Sequence, residues 1–169
     1  MNIYLVLAFV FLFYIIAPTI CVLCIKNYKA LKILSYIFLA LFVCVLAVGV
    51  FGKVSIGKTV AVSFNFNGSW FSKNFNFVPY TRDLQDILIN IIMLVPVGIF
   101  CAVNFKQKIL WAFLFGLFFG IGIEFLQFAL PVIRSPQLSD IILNTISSGI
   151  GGLFGVLLLY IRNKIYFRK

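Results

Sequence analysis

Long apolar runs, separated by short polar segments, dominate the pattern along this 169-residue chain. A helix needs about 20 apolar residues to cross a bilayer core of about 30 Å. Five segments meet this requirement, and they predict transmembrane helices at residues 3–25, 33–51, 84–103, 109–130 and 141–161. The pattern therefore predicts an all-α integral membrane protein with a long loop, residues 52–82, between the second and third helices.

Two prolines interrupt these runs. Pro18 in the first segment and Pro96 in the third are expected to bend their helices, because proline removes a backbone hydrogen bond and its ring crowds the preceding turn. The first run has no positively charged residues before it and no small-residue cleavage site after it. We therefore interpret it as a retained helix rather than a signal peptide.

Composition agrees with this pattern. Hydrophobic residues make up 63% of the chain and charged residues 11%, against about a quarter charged in soluble domains. The net charge of +10 then indicates basic loops and contact with anionic lipid rather than binding to nucleic acid. Histidine is absent, which excludes His-based catalysis and His metal ligands. The cysteines, Cys21, Cys24, Cys44 and Cys101, are interpreted as small buried apolar residues.

Basic residues predict the orientation of the chain. Short clusters follow the first and third helices and end the chain, whereas the basic residues of 52–82 are dispersed along a longer loop. The positive-inside rule then places the C-terminus in the cytoplasm and the N-terminus outside. The long loop would accordingly be extracellular.

Polar residues inside the apolar runs mark the candidate site. A carboxylate at mid-helix costs about 2.5–3.5 kcal/mol on insertion scales, so Glu124 needs a partner or a polar cavity. With the predicted topology, polar side chains of the third, fourth and fifth helices converge near the outer surface, and Arg134 on the connecting link is the expected partner of Glu124. The candidate binding residues are Asp86, Asn90, Glu124, Gln127, Arg134, Asp140 and Asn144.

Several interpretations of this set are open. It forms either an outward-facing pocket for an envelope lipid, glycan or peptide, or a polar clasp that only holds helices together, as in a transporter or partner subunit. The alternative is a membrane-embedded enzyme that acts on a lipid or lipid-linked substrate, with Glu124 and Asp140 as candidate acid–base groups. No cofactor is predicted, although Asp86, Glu124 and Asp140 are of the type that binds a divalent cation.

Small residues predict where helices approach one another. Gly116 and Gly120 form one such stripe, and Ser147, Gly151 and Gly155 form another, so the fourth and fifth predicted helices are expected to cross there. In the long loop, Asn67-Gly68 between alternating apolar residues is typical of a hairpin. The loop aromatics are expected to form a belt at the membrane surface or, alternatively, a lid over the site.

Four ordered motifs resemble the VanZ-like membrane proteins, a family named after a teicoplanin-resistance protein of enterococcal glycopeptide-resistance clusters. They are "FNFVPY" (75–80), "NIIMLVPVG" (90–98), "EFLQ" (124–127) and "RSPQLSDIILNTISSGIGG" (134–152). Tyr80 departs from the phenylalanine that the family often has there. The resemblance implies a single transmembrane domain over residues 1–169, with its core at about 62–156.

The resemblance also carries implications for biology. It implies a bacterial cell-envelope location and a contribution to tolerance of teicoplanin-like glycopeptides. The implied partners are membrane lipids and either a lipid-linked cell-wall precursor or a glycopeptide, with no nucleic acid. A settled reaction does not follow from the family, and neither does an oligomeric state.

Overall fold

The protein folds as a bundle of apolar helices. The computed structural model describes residues 3–51, 53–56, 60–63, 70–71, 74, 77, 84–106, 109–131 and 136–167, with backbone only at 3–12, 48–51, 53–56, 60–63 and 85–86. Its helices are α1 (Ile3–Cys24), α2 (Tyr28–Phe51), α3 (Leu84–Met93), α4 (Val95–Asn104), α5 (Ile109–Ala129) and α6 (Leu138–Tyr166). Two short strands, β1 (Lys53–Ile56) and β2 (Val60–Ser63), follow α2.

The helices match the predicted spans closely. Within the described residues, four are long and apolar enough to cross a membrane, the pair α3–α4 being one span. In α1, the stretch whose side chains are described, Phe13–Cys24, is a shorter apolar helix. The whole of α1 runs for 22 residues. The protein is therefore an all-α multi-pass membrane protein, as the sequence predicted. The largest difference is in α6, which begins three residues earlier than expected and runs for 29 residues.

The third predicted span is broken into two helices at Leu94. Pro96 cannot donate the hydrogen bond that would reach back to the preceding turn, so the helical pattern cannot continue through this point. At the interruption, the amide of Leu94 donates to Ser147 Oγ of α6, at 2.9 Å. A hydroxyl from a neighbouring helix thus satisfies a backbone group that would otherwise be buried without a partner.

Helix α6 lies at the centre of the bundle and contacts α1, α3, α4 and α5. Its glycines permit this position. A Cβ on Gly155 would lie 2.6 Å from Ala102 Cβ of α4, and a Cβ on Gly116 of α5 would lie 2.6 Å from Ser148 Cβ of α6. The predicted crossing of α5 and α6 is therefore confirmed for Gly116 and Gly120. The predicted α6 stripe of Ser147, Gly151 and Gly155 was wrongly assigned to this crossing, because Gly151 and Gly155 lie against Val95 and Ala102 of α4. Close backbone approach of this kind drives helix association in membranes, where hydrophobic burial contributes little.

The outer surface of the bundle is apolar. Large side chains such as Ile33, Leu110 and Phe118 are 63%, 65% and 70% exposed, which suits contact with lipid. The interior is formed mainly around α4, in which every residue from Val95 to Val103 is buried. Cys101 is buried, but Cys24 and Cys44 are exposed, so the prediction that all four cysteines are buried was wrong. Both lie on transmembrane helices, where an exposed thiol can face lipid.

The structure describes a hairpin earlier in the loop than the expected one. Strands β1 and β2 pair antiparallel, with Lys53 opposite Ser63 and Ile56 opposite Val60. The predicted turn at Asn67-Gly68 lies outside the described residues. Further along the loop, the amide of Phe71 donates to the carbonyl of Ala129 at the end of α5, at 3.3 Å. The loop therefore returns to the end of the bundle where α5 finishes.

Candidate functional site

Glu124 caps the beginning of α6. Its side chain is 1% exposed, and its Oε2 accepts a hydrogen bond from the backbone amide of Gln137 at 2.6 Å. Gln137 is the residue just before α6 and has an extended backbone. The first amides of a helix have no partners within the helix and carry partial positive charge. A carboxylate supplied by the adjacent helix α5 satisfies one of these groups, which gives a physical reason for Glu124 in an apolar run.

Asp140 links α6 to α3. It lies in the first turn of α6, where a negative charge is favourable, and its Oδ1 accepts a hydrogen bond from Asn90 Nδ2 at 2.8 Å. Its backbone amide donates to the carbonyl of Gln137 at 3.2 Å. Gln137 is therefore bonded through its amide to the carboxylate of Glu124 and through its carbonyl to the backbone amide of Asp140.

Asn144 lies one turn further along α6. It is 1% exposed, and within the described residues neither Nδ2 nor Oδ1 has a hydrogen-bond partner. Asn144 packs against α5 where Gly120 leaves room, since a Cβ on Gly120 would come within 3.3 Å of Asn144 Cβ. A buried amide without partners costs free energy, and such groups are few in native proteins. Asn144 thus presents a donor and an acceptor that a water or a ligand can satisfy.

These residues form one polar cluster, defined as Asn90, Glu124, Gln127, Asp140 and Asn144. All five are buried, with exposures of 4% or less, and they come from α3, α5 and α6. The cluster lies at the end of the bundle where α5 finishes and α6 begins. Chemically it offers two carboxylates and three amides, which suits recognition of hydroxyl, amide or ammonium groups.

Two predicted site residues lie outside this description. Arg134 is not among the described residues, so its pairing with Glu124 stays a prediction. Asp86 lies on α3, but its side chain is not described. Among the residues that are described, no group of three or more Asp, Glu, Cys or His side chains is placed to hold a metal ion.

Sequence reasoning missed the roles of Gln137 and the α6 serines. Ser147 was interpreted only as a small residue, yet its Oγ accepts from the amide of Leu94. Its neighbour Ser148 donates from Oγ to the carbonyl of Ala112 at 2.7 Å. Two signals were present in the sequence. Pro96 marks an interruption of the helix next to Leu94, and Gln137 stands at a helix start three residues before an acidic side chain.

A second buried polar centre lies at the opposite end of α6. Arg162, one of the basic residues that end the chain, is 2% exposed. Its Nη2 donates to the carbonyl of Lys26 at 2.7 Å and its Nε to the carbonyl of Ile25 at 3.1 Å. These carbonyls follow the last residue of α1, where the negative end of the helix dipole attracts a cation. Arg162 therefore ties α6 to the end of α1.

The fold and the cluster define the class of this protein: a multi-pass helical membrane protein with a buried polar cluster at one end of the bundle. A family model described as VanZ/LLP1 matches residues 1–163. Protein VanZ of Enterococcus faecium is 30% identical over 136 residues, which cover 79% of this chain and 78% of that relative. The chain therefore belongs to the VanZ/LLP1 family, which is linked to glycopeptide resistance. No solved structure matches the chain.

Proposed function

We propose that this protein contributes to tolerance of teicoplanin-type lipoglycopeptides by binding an envelope ligand at the polar cluster. The ligand would present a polar group, such as a lipid head, a glycan or a peptide, from the outer side of the membrane. Family membership supports the link to glycopeptide resistance. The observation that carries the binding proposal is Asn144, a buried amide with no hydrogen-bond partner among the described residues.

A clasp stabilises helices only when its polar groups bond to one another, and a buried group left unsatisfied works against it. Asn90 and Asp140 are bonded in this way, but Asn144 contributes no such bond. A buried amide whose two polar atoms bond to no described residue is better explained by a ligand.

The decisive experiment replaces Asn144 by leucine, which has nearly the same volume but no polar atoms. Each variant would be expressed in a susceptible bacterial host, checked for wild-type abundance and monodispersity, and assayed for teicoplanin tolerance. Asn144→Leu should fold normally, because removing an unsatisfied buried polar group is close to neutral. It should nevertheless lose tolerance. Glu124→Gln, which keeps an acceptor for the Gln137 amide but removes the charge, should also lose it.

Asn104→Leu is the matched control. Asn104 Nδ2 donates to Ser35 Oγ at 2.8 Å and to the Phe100 carbonyl at 2.9 Å, at the end of the bundle opposite the polar cluster. Tolerance per folded molecule should survive this change. Wild-type tolerance in both Asn144→Leu and Glu124→Gln would mean that the polar cluster is only a clasp.

The proposal also requires the polar cluster to face outward, with the N-terminus outside and the C-terminus in the cytoplasm. This orientation rests on the distribution of basic residues. Single cysteines at Asn74 and Lys164, introduced after replacement of the native cysteines, would report it through a membrane-impermeant maleimide. Asn74→Cys should be labelled on intact cells, and Lys164→Cys only after the cells are opened. The reverse result would place the polar cluster in the cytoplasmic half and defeat the proposal.

A further inference from the structure

The charged side chains are segregated between the two ends of the bundle. The chain has four acidic residues, which are Asp83, Asp86, Glu124 and Asp140. Glu124 and Asp140 belong to the polar cluster, Asp86 lies in the first turn of α3, and Asp83 directly precedes that helix in the sequence. At the opposite end the described charged side chains other than Arg162 are all lysines, namely Lys26, Lys29, Lys32, Lys106 and Lys164. That end therefore has an excess of positive charge with no described carboxylate to balance it.

Two of these cations lie against one aromatic ring. Lys32 Nζ is 5.4 Å from the centre of the Tyr28 ring, and Arg162 Cζ is 5.5 Å from it. The ring attracts each cation, but it has no net charge and so does not cancel the repulsion between them. Arg162 donates to carbonyls at the end of α1. Lys32 is half-buried and has no acidic partner among the described residues, so an anion from outside the protein would be favourable beside it.

Lys106 has a backbone conformation that favours glycine. Its φ is 50°, in the left-handed region, which is unfavourable for any residue with a Cβ. Phe105 is the C-cap of α4, so Lys106 occupies the next position, where glycine is the usual residue. Backbone strain of this kind persists mainly where the side chain has a use. Because the Lys106 side chain is exposed, that use is binding rather than packing.

Lys32 and Lys106 flank the same contact between α2 and α4. At this contact the Tyr28 hydroxyl donates to the carbonyl of Val103. Lys32 lies one turn after Tyr28 on α2, on the same face of the helix, and Lys106 follows Val103 by three residues at the end of α4. Each lysine has a flexible four-carbon stem. Their ammonium groups can therefore reach one anion at this junction.

The surroundings of the junction favour an amphiphile over a soluble anion. Tyr28 begins one apolar span and Asn104 ends another, so both lysines lie within a few residues of the boundary between hydrocarbon and head groups. Large apolar side chains beside them are exposed, and these are Ile33, Leu110 and Trp111. A phospholipid with its phosphate on the lysines would lay its acyl chains against these side chains. Inorganic phosphate would gain nothing from them.

We propose that Lys32 and Lys106 bind the phosphate of an anionic phospholipid at the junction of α2 and α4. The two ammonium groups supply the positive charge, and the exposed apolar side chains beside them contact the acyl chains. General attraction between basic loops and anionic lipid depends on total charge, whereas this site depends on two particular lysines. The proposal is independent of the ligand proposed for the polar cluster, which lies at the opposite end of the bundle.

The test follows thermal unfolding of the purified full chain in dodecyl maltoside. Dioleoyl phosphatidylglycerol, dioleoyl phosphatidylcholine or glycerol 3-phosphate is added in increasing amounts, because a ligand that binds only the folded protein raises its melting temperature. Phosphatidylglycerol should raise it by about 3 °C or more, and the other two by less than about 1 °C. Equal shifts with the two lipids would overturn the anionic site. A shift with glycerol 3-phosphate as large as that with phosphatidylglycerol would show that a soluble anion, and not a lipid, is the ligand.

Three variants locate the site. Lys32→Gln should weaken the apparent affinity for phosphatidylglycerol about fivefold, the effect of one basic residue near a membrane surface. Lys106→Gly should weaken it similarly and yet raise the melting temperature of the lipid-free protein, because glycine adopts a positive φ without strain. Lys164→Gln is the matched control, since it removes the same charge at the same end but lies about 200° around α6 from Arg162. Its affinity should stay within about twofold of the wild type.

Two results with these variants would contradict the proposal. A loss of affinity in Lys164→Gln as large as that in Lys32→Gln would mean that only the total charge matters. Wild-type affinity in both Lys32→Gln and Lys106→Gly would mean that the lipid binds elsewhere.

Discussion

The two ends of α6 each carry a buried polar centre, and they are satisfied in different ways. At one end all three guanidinium nitrogens of Arg162 donate hydrogen bonds, two of them to carbonyls at the end of α1. At the other end Glu124 and Asp140 accept hydrogen bonds, but Asn144 between α5 and α6 has no partner among the described residues. Buried polarity is thus common to both ends. At the Arg162 end Asn104 Oδ1 also lacks a partner among the described residues, but its Nδ2 donates two hydrogen bonds, whereas both polar atoms of the Asn144 amide lack one.

This difference distinguishes a polar centre that stabilises the fold from one that can bind a ligand. Ionisable groups inside membrane proteins are often taken as functional, and Arg162 would be selected by that rule alone. Its contacts instead explain it as a brace that holds α1 to α6, with Tyr166 adding a bond to the carbonyl of Cys24 at 3.0 Å. Asn144 makes no such bonds to the described residues, so the polar cluster as a whole is not explained as a brace. We therefore expect the two centres to respond differently to substitution.

The largest effect is expected at Arg162. Arg162→Met keeps much of the apolar stem but removes the donors that join α1 to α6, and it should lower the free energy of unfolding by about 2–4 kcal/mol. Unfolding of the purified protein in detergent would measure this. Lys164→Met on the same helix, where Lys164 is exposed, should change stability by less than about 0.5 kcal/mol. Equal stability of the two variants would mean that Arg162 does not stabilise the contact between α1 and α6.

An intermediate effect is expected at Glu124. Glu124→Ala leaves the amide of Gln137 without this acceptor, and the loss of a helix cap costs about 1–2 kcal/mol. Glu124→Gln should recover most of that stability, because its amide oxygen can still accept the bond. The same detergent unfolding assay distinguishes them. A glutamine variant as unstable as the alanine variant would show that charge, rather than hydrogen bonding, determines the contribution of Glu124.

The smallest effect is expected at Asn144. Asn144→Leu should leave the free energy of unfolding within about 0.5 kcal/mol of the wild type, or raise it, since no bond is lost. Asn90→Leu, its matched control, breaks the 2.8 Å bond to Asp140 and should cost about 1–3 kcal/mol. A loss at Asn144 as large as that at Asn90 would mean that Asn144 is bonded in the folded protein. The contrast between the two ends would then disappear.

Much of the fold was predictable because its determinants are local. Apolar runs long enough to cross a bilayer identified the spans, Pro96 identified the interruption of the third, and Gly116 and Gly120 identified the face on which α5 meets α6. Each of these features follows from a few neighbouring residues and the properties of lipid. The sequence also indicated that Glu124 needed a polar environment, because an isolated carboxylate in hydrocarbon is costly.

Only the tertiary structure decided which groups meet. Glu124 accepts from the backbone amide of Gln137, a group that every residue except proline carries and whose acceptor the sequence does not specify. Arg162 reaches carbonyls 136 and 137 residues earlier in the chain, and the amide of Leu94 finds Ser147 across 53 residues. Such bonds depend on how helices rotate and cross. That geometry is set by the packing of small residues along whole helices. The sequence alone therefore determined which residues were polar, and the packing decided which of them were buried and which were satisfied.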